Sequence, residues 1–343
     1  MTDRGAARGR TWTRGLLGVA VSIISLSAVV WWATRQERPD FPTAAEDLGP
    51  LALALAVYGG VTMLRGWRWH HVLRHTGIGH PTFDAYGLVA VGYMGNNVLP
   101  ARGGEVLRVL LMGERIGGRR LEIVGSVVAE RLLDVLTIVT LFSAMTFAGV
   151  AGAPIGRQPV ALALAGAAVV VLVVALLVRL RRTGRLQRVA ELARPLVRAS
   201  HLLLGRVGAL LLLATAAIWL LEGSIYRLIG ASLDVHISFV EAIFLVLLVS
   251  FAAAVPSAPG YLGTFDAAVI FGLDALGVEG GDAVAFAVLV RFLAFVPITI
   301  AGLVLVLVRY GGLTRILRPA RPNVEELGEA AHRQTGYRHE TRP

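Results

Sequence analysis

The stretch Asn96-Asn97-Val98-Leu99-Pro100-Ala101-Arg102-Gly103-Gly104-Glu105-Val106-Leu107-Arg108 interrupts apolar runs that have the composition of bilayer-spanning segments. It places two amides, a proline, two glycines and three charges between them. At bilayer depth, non-helical backbone and charge persist only where protein or a wet cavity surrounds them. A second interruption, Pro256-Ser257-Ala258-Pro259-Gly260-Tyr261-Leu262-Gly263-Thr264, follows the apolar run 239–255. A chain with two such breaks must bury both, and that requirement organises everything else.

Of the 343 residues, 55% are hydrophobic and 16% charged, the balance of a membrane protein rather than a soluble one. Runs of about 20 apolar residues are needed to cross a bilayer as helix. Six are expected, near 16–33, 48–64, 123–147, 160–178, 207–229 and 284–308. The first follows Arg4, Arg8, Arg10 and Arg14 and is expected to be retained as a signal-anchor helix. The basic, aromatic segment Arg65-Gly66-Trp67-Arg68-Trp69-His70-His71 is expected to be an interfacial anchor. The net charge of +10 comes from arginine alone, concentrated in loops. That distribution fits membrane orientation and lipid headgroups, so no nucleic-acid partner is expected.

Loop charge fixes the expected topology. Both flanks of the first break, 65–82 and 113–120, are basic; both flanks of the second, 231–238 and 277–282, lack arginine and carry acids. A crossing segment would have unlike flanks. Two re-entrant helical hairpins are therefore expected, one entering from the cytoplasm and one from outside. Both termini are placed in the cytoplasm, and the Arg-rich segment 179–206 lies on that side. Phe83 precedes Pro100 by 17 positions and Phe239 precedes Pro256 by 17; Gly104 and Gly260 each lie four beyond the proline. A helix with an intramembrane arginine, Arg131 or Arg291, follows each hairpin. The expected fold is thus an all-α polytopic membrane protein of six full spans plus two re-entrant helical hairpins in an inverted repeat. Its parts are a basic N-terminus over 1–14, a transmembrane domain over 15–310 and a polar cytoplasmic tail over 311–343. Its halves cover about 15–150 and 159–310, joined by an outer loop over 151–158.

Candidate site residues follow from charge at depth. Arg102, Glu105 and Arg108 fall broadly along one side of a helix starting near Gly103, where open backbone N–H groups suit an anion. Either arginine can hold a phosphate as a fork; alternatively Glu105 only neutralises an arginine for burial. Glu130 and Asp134 share a helix face, and Arg131 reaches Asp134. An ion-pair lock onto the first hairpin, direct substrate contact and a proton-coupling role all fit these three. Thr264 is expected to cap the helix after the second break, with Asp266 favourable to its dipole. Arg291 and Glu222 are expected to pair with charges of the hairpins. His70, His71 and His75 lack nearby carboxylates and are not expected to hold a metal. The chain has no Cys, which excludes disulfides and thiolate chemistry. No nucleotide-binding, zinc-protease or nucleophile motif occurs, and no cofactor is expected.

The motifs Asn97-x-x-Pro100-x-Arg102-x-Gly104-Glu105-x-x-Arg108, Glu130-Arg131-x-x-Asp134 and Pro259-Gly260-x-x-Gly263-x-x-Asp266 together resemble the flippase-like transmembrane family of lysylphosphatidylglycerol synthases. The resemblance covers roughly 15–310, with Asp266 where that family usually has Glu. It implies that these residues bind or gate a lipid. The stretch after 310 leaves no room for the soluble aminoacyl-transferase domain of larger members, so the resemblance implies lipid translocation without enzymatic activity. The expected function is a lipid flippase of the bacterial plasma membrane moving a phosphate-bearing headgroup between leaflets. The expected partner is a phospholipid or glycolipid, and a homo-oligomer is compatible with the sequence. The alternatives are a secondary transporter of a small anion and an integral-membrane enzyme acting on a lipid-linked substrate.

Overall fold

The helices stop where backbone chemistry forces them to. In the computed structural model, residues 27, 29–31, 33–39, 41–99, 102–147, 205–254 and 258–311 are described. The first and fourth expected spans, the outer loop 151–158, the basic segment up to 204 and the tail lie wholly or largely outside them. The described residues contain helices α1 (Ala45–His75), α2 (Thr82–Val98), α3 (Gly103–Arg115), α4 (Arg120–Phe147), α5 (Arg206–Ser232), α6 (Phe239–Ala254), α7 (Thr264–Asp274) and α8 (Gly280–Val308), and no strand. A 3₁₀ turn, Pro259–Tyr261, precedes α7.

Leu99, preceding Pro100, is extended (φ −95°, ψ 145°), which ends α2. Arg102 then takes a left-handed conformation (φ 55°) and α3 begins. α1 closes on Gly77 (φ 75°), with the Ile78 amide donating to Leu73 O at 2.9 Å. α7 closes the same way on Gly277, with Val278 donating to Leu273 O at 2.9 Å. A reciprocal cap between Ser238 and Glu241 starts α6.

Helix lengths of 31, 17, 13 and 28 residues are followed by 27, 16, 11 and 29. The order long, medium, short, long therefore occurs twice. Within each half the middle two helices fold back on one another. Gly92 and Gly95 of α2 lie against Gly104 of α3, so close that a Cβ on Gly104 would sit 1.8 Å from Gly92 O. Gly272 of α7 takes Leu245 and Leu248 of α6. Ala54 and Val61 of α1 join Ile218, Ile225, Leu245, Val269 and Phe286 in one apolar core.

Three described helices are long and apolar enough to cross a bilayer: Glu46–His75, Arg206–Ser232 and Gly280–Val308. At 28 residues α4 matches them in length, but Glu130, Arg131 and Asp134 break its apolar character. Large apolar side chains such as Met63, Leu213, Phe292 and Ile300 face outward, as lipid contact requires. The first of these spans runs well past the expected end near 64. Arg65 to His71 continue α1 into the bundle, and Arg68 and Trp69 are buried rather than interfacial. Trp69 Nε1 donates to Ser126 Oγ at 3.0 Å, and α4 supplies the acids that permit Arg68 to be buried.

The described residues up to 305 belong to one compact unit. Of the second, Val306–Pro343, only 306–311 are described.

Candidate functional site

The two breaks meet. Gly260 has φ 67°, and a Cβ on it would lie 3.2 Å from Asn97 O. Only a residue without a side chain gives both that backbone conformation and that approach without strain. Across the contact, Arg102 Nη2 donates to Ala253 O at 2.7 Å, and its guanidinium lies 5.7 Å from the Tyr261 ring centre. Asn97 Nδ2 donates to Thr299 Oγ1 of α8 at 2.9 Å. A cavity of about 320 Å³ opens here, lined by Asn97, Gly260, Arg291, Phe295 and Thr299. Leu262 and Ile300, also in its lining, are exposed.

Arg291 reaches this cavity from α8 and is clamped. Its Nε and Nη2 donate to the two oxygens of Asp266 at 2.5 and 2.7 Å, and Nη1 donates to Gly260 O at 3.3 Å. Phe295 and Phe265 flank it, with centroids at 4.7 and 5.2 Å. Asp266 Oδ2 also accepts the Gly263 amide at 3.0 Å, so Asp266 caps α7 as well as holding Arg291. Thr264 does not cap; it is the first helical residue and its hydroxyl donates to Tyr261 O. Gly263, at φ 83°, gives the turn its handedness.

The first half carries a larger charged network. Arg68 of α1 donates from Nη1 to Asp134 Oδ1 at 2.6 Å and to Thr215 Oγ1 at 3.0 Å, and lies 3.5 Å from Glu130. Arg108 of α3 donates to the other Glu130 oxygen and stacks 4.0 Å over Trp69. Arg131 lies 3.3 Å from Asp134 and 3.5 Å from Glu105. Arg65 of α1 pairs with Glu222 of α5 and lies over Tyr93 at 4.9 Å. Every ionised group here has an opposite charge in contact, as burial in a low-dielectric interior demands.

Arg102, Glu105 and Arg108 do not work along one side. Arg102 turns back to the second hairpin, Glu105 faces Arg131, and Arg108 is buried against Trp69 and Glu130. The Gly104 amide does not stand open either, since it donates to Asn96 Oδ1 at 3.0 Å. Glu130 and Arg131 join α4 to α3 of the first hairpin, through Arg108 and Glu105, whereas Asp134 pairs with Arg68 of α1 and with Arg131 of its own helix. Glu222 pairs with α1 rather than with a hairpin. The residues missed in sequence are Arg65, Arg68 and Thr299. Arg65 and Arg68 sit three apart on a helix whose acids come from distant segments; only the unusual run of charge beyond 64 pointed to them. Among the described residues, no group of His, Asp and Glu is placed to hold a metal ion.

Residues 15–302 match the family described as the lysylphosphatidylglycerol synthase TM region. The chain is also 32% identical over 96 residues to a phosphatidylglycerol lysyltransferase of Staphylococcus aureus (strain MRSA252), a match covering 28% of this chain and 11% of that protein. No solved structure matches. The relative overturns the expectation of a chain without enzymatic activity, because the name it bears is that of an enzyme. That expectation rested on missing catalytic motifs and on the stretch after 310, and neither bears on an activity shared with other parts of a larger protein. Membrane helices, paired breaks and a match over most of its length together make this chain a member of the lysylphosphatidylglycerol synthase transmembrane-region family.

Proposed function

We propose that the chain moves a phosphate-bearing lipid headgroup between leaflets along a path between its two breaks. The observation that carries this is the cavity where they meet. Asn97, Arg291 and Thr299 give it hydrogen-bonding and cationic groups, while exposed Leu262, Val296 and Ile300 border it with apolar surface. Such a cavity suits a headgroup inside and acyl chains outside, which favours a lipid over a small soluble anion. In this reading each helical hairpin is re-entrant and the halves form an inverted repeat, with both termini in the cytoplasm of a bacterium. The substrate class is an anionic phospholipid, and the names of the family and of the relative favour phosphatidylglycerol or its lysyl derivative. The same names support a second reading, in which this membrane region serves a lipid-modifying enzyme.

The test is headgroup movement in liposomes containing labelled phosphatidylglycerol. Arg102→Ala and Asn97→Ala should abolish movement while leaving thermal unfolding of the purified protein close to that of the parent. Normal movement by both variants refutes the path.

A further inference from the structure

The two hairpins are built to the same plan and closed with unequal grip. In each, the third residue of the helix after the break is an acid, Glu105 in α3 and Asp266 in α7. In each, that acid meets an arginine of the next long helix, Arg131 in α4 and Arg291 in α8. Asp266 holds Arg291 by two hydrogen bonds of 2.5 and 2.7 Å, and its own carboxylate is anchored on Gly263 N. Glu105 approaches Arg131 at 3.5 Å without a hydrogen bond, and Arg131 Nε is a buried donor with no hydrogen-bond partner. The side chains of Glu105 and Arg131 are 32% and 40% exposed, against 11% and 24% for Asp266 and Arg291. Glutamate is also the longer, more mobile acid, and holding it in one place costs more rotamer entropy.

Arg131 is partly exposed and partly set among charged and polar groups of the bundle. Tyr93 of α2, Glu130, Asp134 and Glu105 all lie within its electrostatic reach, and Tyr261 of the second break senses both Arg131 and Arg102. Asp134, at 3.3 Å, orients the guanidinium from within its own helix. Arg102 contributes further positive charge, because its terminal nitrogen is spent on a backbone carbonyl rather than on an acid. A partly exposed arginine whose Nε has no hydrogen-bond partner and faces only a carboxylate at 3.5 Å is suited to a phosphodiester, which a guanidinium can grip as a fork.

We propose that Glu105 stands in the empty protein where a lipid phosphodiester sits in the loaded one, and that the headgroup binds Arg131 by displacing it. Arg291 stays clamped throughout. The inference rests on the headgroup path proposed above and adds where in the first half the phosphate is held.

The test is titration of the purified full chain in neutral detergent with sn-glycero-3-phosphoglycerol, the headgroup without acyl chains, followed by calorimetry. Inorganic phosphate and phosphatidylglycerol nanodiscs serve as parallel probes. Glu105→Gln removes the internal competitor and should tighten binding of the glycerophosphodiester roughly two- to fivefold, the range expected for loss of a solvent-open ion pair. Arg131→Gln should weaken it about tenfold or more, with unfolding temperature unchanged, and Arg131→Lys should recover part of the loss. Unchanged or weaker binding by Glu105→Gln, with the parent still binding, overturns the displacement and leaves the headgroup path standing. Binding by neither parent nor variants, to the soluble headgroup or to nanodiscs, overturns both. A gain for inorganic phosphate that the glycerophosphodiester and nanodiscs do not share overturns the lipid as the source of the phosphate.

Discussion

Adding one methyl group at Gly104 should unfasten the first hairpin. The Cβ would sit 1.8 Å from Gly92 O, 2.5 Å from Asn96 N and 2.7 Å from Asn96 Oδ1. Moving it from 1.8 Å to beyond the 3.0 Å that real Cβ atoms keep requires α2 and α3 to part by about 1.2 Å. Two of the three obstacles are backbone atoms, so no rotamer change relieves them. Alanine gains ~1 kcal/mol over glycine in a helix interior. Overpacking takes back ~1–3 kcal/mol even where side chains can yield, and here the Asn96–Gly104 hydrogen bond, worth ~1 kcal/mol, is strained as well. The net expectation for Gly104→Ala is a loss of about 2 kcal/mol. Gly60, in the middle of α1 with nothing within 4 Å of its added Cβ, is the control, and Gly60→Ala should gain ~1 kcal/mol. Thermal unfolding of the two variants in the same detergent measures the difference. If Gly104→Ala matches or exceeds the parent in stability, the close approach of α2 and α3 is not what holds the hairpin.

Three further perturbations bear on the charged groups and the topology. Arg68→Met leaves Asp134 and Glu130 buried with one cation fewer and should cost about 3–5 kcal/mol in chemical unfolding, whereas Arg131→Gln should cost under ~1 kcal/mol. Asp266→Asn keeps an acceptor for Gly263 N but loses the charged fork to Arg291, and should lower stability by about 2 kcal/mol in the same assay. Single cysteines at Gly79 and Arg120 should react with an impermeant thiol reagent from one face of intact cells, and a cysteine at Glu279 from the other; labelling of Gly79 and Arg120 from opposite faces refutes a re-entrant first hairpin.

What could be read in sequence was local. Pro100 dictates an extended Leu99, and Gly260 and Gly263 mark a turn, so both breaks were visible within a few residues of where helices stop. The arginine in the helix after each break was visible in sequence; that an acid three residues into the preceding short helix meets it in both halves, Glu105 with Arg131 and Asp266 with Arg291, was not, because the two acids lie at unequal distances from the prolines. Partners across the bundle were not visible. Arg65 to His71 has the composition of an interfacial anchor, and only the approach of Glu130 and Asp134, some sixty residues on, turns Arg68 into a buried centre. Arg108 looked as available to a phosphate as Arg102 because sequence carries no sign that Glu130 and Trp69 enclose it. Thr264 looked like the better cap because its residue type favours that position, yet the preceding Gly263 already takes it.

The pairing of the interior arginines has an electrical consequence. Arg65, Arg68, Arg108, Arg131 and Arg291 each contact a carboxylate that can be assigned to it alone: Glu222, Asp134, Glu130, Glu105 and Asp266. Arg102 contacts a carbonyl instead. Within this set the arginines exceed the carboxylates by one positive charge, and the singly charged phosphodiester of the proposed substrate would offset it. Moving one elementary charge through the transmembrane field involves ~2.3 kcal/mol per 100 mV. If the chain moves a lipid as proposed, a rearrangement that carried Arg102 across part of that field would feel the voltage when it moved alone and scarcely feel it when it moved together with a bound phosphodiester, so the resting potential would act on the lipid-free step and leave the lipid-bearing one almost untouched.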